Sequence, residues 1–267
     1  MIFKYKAYNN LLVELGRNDY VVEITELAIK DFIKRLEDSS NKEEFIKTQC
    51  EKHEVWVSYD KSNSFYNQVT LGNIANVYHL AEAFFYELQT QYNKISGTNW
   101  HFVSGTTKIK QIIDFFKSQN RFNNIDKIDA YLIDVFDYYY YLRVQFSHKK
   151  TTSEKVSKQK WQKACDSLNE ELLESFKVKS KPKLKDNVDF DDFFLFTQVT
   201  KKLALRISCL CYPTVKGLSE ISEIKKQKRH QDNERTISGI TNYLSSEYGF
   251  EIENESDLLV ERIMNEF

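Results

Sequence analysis

The segment YYYYLRVQFSHKK, residues 138–150, decides the fold that we expect for this chain. Leu142 and Phe146 continue an apolar pattern that repeats upstream at helical spacing. Arg143 lies beside that apolar stripe, and His148 falls at or just past the end of the predicted helix. The segment therefore predicts an aromatic-rich helix that carries candidate functional side chains at its end.

The composition supports a mainly helical fold. The chain has 267 residues but only 7 glycines and 2 prolines, whereas barrels and sandwiches need many turns rich in these two residues. Aromatic residues make up 14% of the chain, so we expect a core built from Phe and Tyr. The fold class that we predict is mainly α, an antiparallel helical bundle with additional N- and C-terminal helices.

Apolar periodicity divides the chain into predicted elements. One short strand is expected at 54–59, where EVWVSY alternates apolar and polar residues. The segment KVKSKPKLKDN at 177–187 is the clearest linker candidate, which suggests a helical domain at 1–178 and a helical C-terminal region at 188–267, separate or packed on the same core. The helices are predicted at 22–36, after SSNKEEF, at 71–95, 109–116, 125–146, 156–176, 189–210, 219–229, 233–248 and 255–267.

Charge is unevenly distributed although the net charge is only −1. Between Lys149 and Lys185 there are eleven lysines and five acidic residues, a surplus of six positive charges (11 − 5). A polyanion would be attracted to such a segment, and a solvated lysine-rich helix and linker would look the same in sequence. Both interpretations stay open.

Several protein classes lack support in the sequence. No apolar run approaches the ~20 residues of a membrane span, and no secretory leader is recognisable, so we expect a cytoplasmic protein. The four cysteines form no C-x-x-C pair, which favours small apolar core residues over a zinc or redox site. Phosphate-binding, dinucleotide-binding and serine-hydrolase motifs are also missing.

The motif RVQFSH, Arg143 to His148, resembles the R-x4-6-H motif of the HEPN superfamily, which stands late on an aromatic-rich helix of a small α bundle. The resemblance covers about residues 70–178. It implies a metal-independent endoribonuclease without a cofactor, acting as a homodimer whose two motifs form one composite site. It also implies a role in antiviral defence, abortive infection or a toxin system, with RNA as substrate and an antitoxin or defence protein as a possible partner.

Metal-free RNA cleavage needs the chemistry that these side chains provide. A histidine can remove the 2′-hydroxyl proton and protonate the leaving 5′-oxygen, because its pKa lies near neutral pH. Arg143 would stabilise the phosphorane with a planar fork of donors, and Lys149 and Lys150 would hold flanking phosphates. On an ideal helix Arg143 and His148 lie about 140° apart. They could converge if the helix bends or ends at about Ser147, or if a second copy of the motif faces the first across a two-fold axis.

Further residues extend or weaken this hypothesis. Val144 stands where active family members carry a polar residue, so Gln145 or Ser147 would have to supply that contact, and Tyr141 could stack a base. Val144 also motivates the alternative of a catalytically inactive helical module that binds RNA or protein, and a structural subunit of a defence assembly is a further alternative. Taken separately, the arginine could form a surface salt bridge and the histidine could be a helix C-terminal cation.

Two acids on the preceding long helix, Glu82 and Glu87, are candidates for contacting Arg143 or orienting His148 if the helices pack together. Solvated acids would have the same sequence pattern. A structure can separate the two interpretations, because an ion pair requires the carboxylate and the guanidinium to lie within about 4 Å of each other.

Overall fold

The computed structural model describes residues 3–57, 65–118, 128–147, 154–227, 233–249 and 256–266, and these residues form α-helices and no strand. The mainly α fold class is therefore confirmed. None of these helices is long and apolar enough to span a membrane. The helices are α1 Lys6–Glu37, α2 Lys42–His53, α3 Phe65–Ser96, α4 Lys108–Ser118, α5 Ala130–Ser147, α6 Glu154–Asp166, α7 Glu170–Ser175, α8 Phe190–Leu210, α9 Val215–Ser219, α10 Ser222–Gln227, α11 Asn233–Tyr248 and α12 Ser256–Asn265.

Four long helices enclose the core. Helix α3 packs against α1, α5 and α8, and α8 packs against α1 and α5 as well. The apolar stripe that the sequence predicts on α3 is confirmed, because all ten of its residues are buried. Those residues are Leu71, Ile74, Val77, Tyr78, Ala81, Phe84, Phe85, Leu88, Tyr92 and Ile95.

Helix α9 joins the C-terminal helices to the four-helix core. Helix α9 reaches the end of α3, where a Cβ atom on Gly217 would lie 2.6 Å from the carbonyl oxygen of Ile95. Such a distance is too short for any other residue, so the close approach of the two backbones requires glycine. Helices α9 to α12 pack mainly on one another around Leu218, Ile240 and Ile263, all fully buried.

Large aromatic side chains fill the core, as the composition predicts. Tyr5, Tyr92, Tyr138 and Tyr139 are fully buried, together with several phenylalanines. A buried tyrosine needs a partner for its hydroxyl group. Tyr5 donates its hydroxyl to the carbonyl oxygen of Cys211 at 2.6 Å, which ties the N-terminus to the end of α8.

The segment 177–187 joins α7 to α8 without an α-helix and is held against the bundle. The indole of Trp161 on α6 donates to the carbonyl oxygen of Pro182 at 2.7 Å. Tyr138 on α5 donates its hydroxyl to the carbonyl oxygen of Lys183. The backbone N–H of Lys183 also donates to Asp192 on α8 at 2.9 Å, so α5, α6 and α8 all contact a segment whose sequence predicts only a linker.

Several helix boundaries differ from the sequence prediction. The first helix begins at Lys6, because a buried face that includes Tyr8, Leu11 and Leu15 precedes the predicted start. The helix predicted over 156–176 is wrong, since the side chain of Asn169 accepts the backbone N–H of Leu172 at 2.9 Å and starts α7 as a separate helix. Within the described part of the predicted helix 219–229, α10 forms over Ser222–Gln227, whereas Ser219 is the last residue of α9.

The predicted strand at 54–59 is not formed in its described part. Glu54 ends α2 in the left-handed conformation with φ 55°, and residues 55–57 have no regular structure. The Trp56 side chain is almost fully exposed, so the alternating pattern does not reflect a half-buried sheet. Residues 58 and 59 lie outside the described part of the chain.

Asp192 holds the start of α8 to its neighbours. This carboxylate is buried and accepts hydrogen bonds from the Tyr139 hydroxyl at 2.8 Å, from the Lys183 backbone at 2.9 Å and from the Asp189 backbone at 3.1 Å. Burial raises the pKa of Asp192 to about 6, although the three donors oppose that shift. In the folded state this carboxyl group therefore gains its proton at a higher pH than it does in the unfolded chain.

We expect Asp192 to make the stability of the protein pH-dependent. Between about pH 4 and pH 6 the folded state keeps a proton that the unfolded chain has released, so the free energy of unfolding falls as pH rises through this window. Relative to Asp192→Asn, the wild-type protein should lose about 2 to 3 kcal/mol across it. Urea denaturation of both proteins at pH 4, 5, 6 and 7 measures the difference.

The matched control is Asp186→Asn, which changes an exposed carboxylate in the same region of the chain. Its difference from the wild-type protein should not vary across the same pH range. Parallel pH profiles for wild type and Asp192→Asn would contradict the assignment of the buried proton to Asp192.

Candidate active site at the end of helix α5

Helix α5 presents two flanks to two different neighbours. Its buried stripe, with Val135, Tyr139 and Leu142, faces the core. Helix α3 packs beside one flank and α6 beside the other. Because a helix turns about 100° per residue, side chains four positions apart share a flank and those two positions apart lie on opposite flanks.

Arg143 lies on the flank that faces α3. The central carbon of its guanidinium group is 5.1 Å from the centre of the Tyr78 ring, a distance at which a cation is attracted to the face of an aromatic ring. Burial raises the pKa of Tyr78, and the charge of Arg143 opposes that shift. Among the described residues, no carboxylate forms an ion pair with Arg143.

Ser147 shares the flank of Arg143, one turn further along, and is the exposed last residue of α5. The helix stays regular up to this residue. His148, Lys149 and Lys150 follow directly and lie outside the described part of the chain. Of the predicted catalytic pair, the structure therefore describes Arg143 and the last turn of α5, which directly precedes His148.

Tyr141 and Gln145 lie on the opposite flank of α5, against α6. The Nζ atom of Lys160 is 5.5 Å from the centre of the Tyr141 ring. The side-chain oxygen of Gln145 accepts the hydroxyl group of Ser157 at 3.3 Å. Within α5, these two candidate substrate-binding residues are thus about 200° around the helix from Arg143 and are not brought together with it.

The two acids of α3 that might have contacted Arg143 have other partners. The carboxylate of Glu82 lies 2.6 Å from the Nζ atom of Lys108. Glu87 accepts hydrogen bonds from Asn10 at 2.7 Å and from Gln91 at 3.0 Å. Arg143 is thus left as a cation that an aromatic ring supports and no described acid neutralises.

The basic segment that follows α5 is partly neutralised by α5 itself. Lys160 and Lys163 on α6 form ion pairs of 2.8 and 2.7 Å with Asp137 and Asp134. An open cavity of about 530 Å³ lies against the exposed face of α6. Its described lining consists of Lys155, Lys158, Gln159 and Gln162.

Tyr78 is the residue of this site that the sequence could not identify. In sequence it is one of ten residues of an apolar stripe, and nothing distinguishes it from a tyrosine that only fills the core. The structure adds that its ring lies under Arg143 and 5.1 Å from the ring of Tyr140. A contact between two helices cannot be read from the periodicity of either one.

A second cleft of about 530 Å³ lies between the start of α1, the end of α3 and helices α10 and α11. Lys6 and Glu247 form an ion pair across it, and Glu220 and Glu223 lie on its rim. Its mixed charge does not favour a polyanion. Among the described residues, no three His, Cys, Asp or Glu side chains are grouped closely enough to hold a metal ion.

Comparison with protein-family models, with curated proteins and with solved structures finds no match to this chain. The resemblance to the HEPN superfamily therefore stays a hypothesis that rests on the RVQFSH motif. That resemblance is not needed for the structural observations, which are the helices, the position of Arg143 on the α3 flank and its contact with Tyr78.

The contacts of Arg143 predict a small role in stability. Arg143→Ala removes one cation–ring contact and the packing of its stem, so we expect the free energy of unfolding to fall by about 0.5 to 1.5 kcal/mol. Urea denaturation at pH 7 measures the loss. Arg35→Ala, which removes an exposed arginine paired with Asp31 on α1, is the matched control and should cost about 0.5 kcal/mol or less.

A loss of more than about 3 kcal/mol would indicate that Arg143 belongs to a buried ion pair. That result would contradict the assignment of Arg143 as a cation without an acidic partner. A small loss also makes Arg143→Ala a usable variant for activity measurements, since the protein would remain folded.

Proposed function

We propose that this protein is a metal-independent endoribonuclease of the HEPN type, in which Arg143 and His148 act on one phosphodiester bond. The observation that supports the proposal most is the set of contacts and the position of Arg143. Its guanidinium group rests on the Tyr78 ring, has no acidic partner among the described residues and lies one turn before the end of α5. His148 follows that end by one residue.

The proposed reaction is an internal phosphoryl transfer. A histidine takes the proton of the ribose 2′-hydroxyl group, and the 2′-oxygen forms a bond to phosphorus. The bond from phosphorus to the 5′-oxygen breaks, and a second acid–base group protonates that oxygen. The products are a 2′,3′-cyclic phosphate and a free 5′-hydroxyl group, so atoms and charge balance without water or a metal ion.

Arg143 would stabilise the charge that develops on the phosphorane. A guanidinium group stays protonated at any working pH and can hold two phosphate oxygens at once. Lys149 and Lys150 would hold the flanking phosphates, and Ser147 would supply a polar contact beside Arg143. Tyr141 and Gln145, on the α6 flank, would contact RNA further from the reacting bond.

A dimer would supply the second histidine. One chain offers one Arg143 and one His148, whereas the reaction needs a base and an acid. A two-fold pair of α5 ends would place two of each in one site. The same dimeric nuclease would suit antiviral defence or a toxin system, with an antitoxin or defence protein as its regulator.

Cleavage of RNA in EDTA tests the proposal. The wild-type protein should convert a labelled oligoribonucleotide to products that end in a 2′,3′-cyclic phosphate. Arg143→Ala and His148→Ala should each lower the rate at least about 100-fold, because each removes a group that acts in the transition state. A denaturing gel and analysis of the 3′ ends measure the rate and the product.

The matched controls are Arg35→Ala and His53→Ala, which change exposed residues on α1 and α2 and should cleave at the wild-type rate. Equal cleavage by the wild type and both site variants would contradict the roles proposed for Arg143 and His148. Tight RNA binding without cleavage by the wild type would favour the inactive module that Val144 suggests.

Light scattering tests the dimer separately. The wild-type protein at micromolar concentration should have a mass of twice the 31.7 kDa of one chain. A monomer that cleaves RNA at a rate per chain independent of dilution would contradict the composite site.

A further inference from the structure

A row of rings and charges follows one face of α3 from the buried Tyr78, on which Arg143 rests, to the exposed Tyr86. Tyr78, Glu82 and Tyr86 are four residues apart and therefore share one face of α3. Arg143 from α5 rests on Tyr78, and Lys108 from α4 pairs with Glu82. We call these five residues the α3 strip, and its two tyrosines lie about 12 Å apart along the helix axis.

Tyr86 is the exposed ring of the α3 strip. Its side chain is 49% exposed, whereas Tyr78 is buried. The ring of Phe102 meets it edge-on at 5.5 Å, and the Nζ atom of Lys108 lies 4.6 Å from its centre. Phe102 is itself fixed by an edge contact of 5.0 Å with Trp100. Tyr86 is therefore a large ring that Phe102 contacts at an edge and Lys108 contacts over one face, and that still offers surface to solvent.

The charges of the α3 strip leave one positive charge in excess. Lys108 and Glu82 neutralise each other, and Arg143 has no described acidic partner. A held aromatic ring beside an uncompensated cation is the combination that binds single-stranded nucleic acid, since every base has a face that stacks on a ring and the cation attracts the phosphates. Duplex RNA keeps its bases stacked inside the helix and cannot use such a ring.

We propose that the α3 strip binds unpaired RNA, with one base stacked on Tyr86 and a phosphate held at Arg143. The inference rests on the proposed function, because it assigns the path of the same substrate. It adds two features, namely that the substrate is single-stranded at the site and that the strand runs along α3. Tyr86 is a binding residue here and takes no part in the chemistry.

Binding without cleavage tests the inference. In the His148→Ala background, fluorescence anisotropy measures the Kd for a labelled 12-nucleotide single-stranded RNA in EDTA. Adding Tyr86→Ala or Tyr86→Leu should weaken binding roughly 5- to 150-fold, as expected for the loss of one stacked base. Tyr86→Phe keeps the ring and should bind as the background does. The leucine variant keeps apolar packing against Phe102, which guards against a loss of folding.

Tyr20→Ala is the matched control, since Tyr20 is 67% exposed on α1 and lies outside the α3 strip. It should leave the Kd unchanged, and none of the Tyr86 variants should alter binding of a 12-base-pair duplex. Equal single-strand affinity for Tyr86→Leu and the background would overturn the inference, as would failure of the background to bind the single strand. Both results are measured by binding alone and do not depend on cleavage. A nuclease that binds RNA by another path is therefore distinguished from a protein that binds RNA along the α3 strip but never cleaves it.

Discussion

The rotation of α5 about its own axis is the constraint on which the candidate site depends. The buried hydroxyl group of Tyr139 donates to Asp192 on α8, and Leu142 is buried beside it. With these two side chains turned into the core, helical geometry leaves Arg143 on the flank beside α3 and Tyr141 on the flank beside α6. The partner of Arg143 is consequently the Tyr78 ring and not an acid of α6.

The two flanks of α5 differ in electrostatic character because of this rotation. On the α6 flank, Asp134 and Asp137 pair with two lysines of the basic segment. On the α3 flank, Glu82 is paired with Lys108, and Arg143 keeps its charge. The α3 flank therefore keeps one cation without an acidic partner among the described residues, in addition to the positive surplus that the sequence carries from Lys149 to Lys185.

Much of the fold follows from patterns within single helices. The α3 stripe, the bounds of α11 at 233–248 and the helix over 189–210 are predictable, because periodicity is a local property. The separation of α6 from α7 was missed, since one side chain, Asn169, outweighs a continuous apolar pattern. The sequence also predicts that Arg143 lies beside the apolar stripe of α5, but not its contact with Tyr78, which depends on how two helices pack.

The role that we propose for Arg143 is to hold phosphate through its planar fork, and Arg143→Lys separates that role from simple charge. Lysine keeps the charge but cannot hold two phosphate oxygens in a fixed plane. If Arg143 has this role, formation of 2′,3′-cyclic phosphate ends in EDTA should fall at least about 10-fold in Arg143→Lys while the protein stays folded. An unchanged rate of end formation in Arg143→Lys would contradict it.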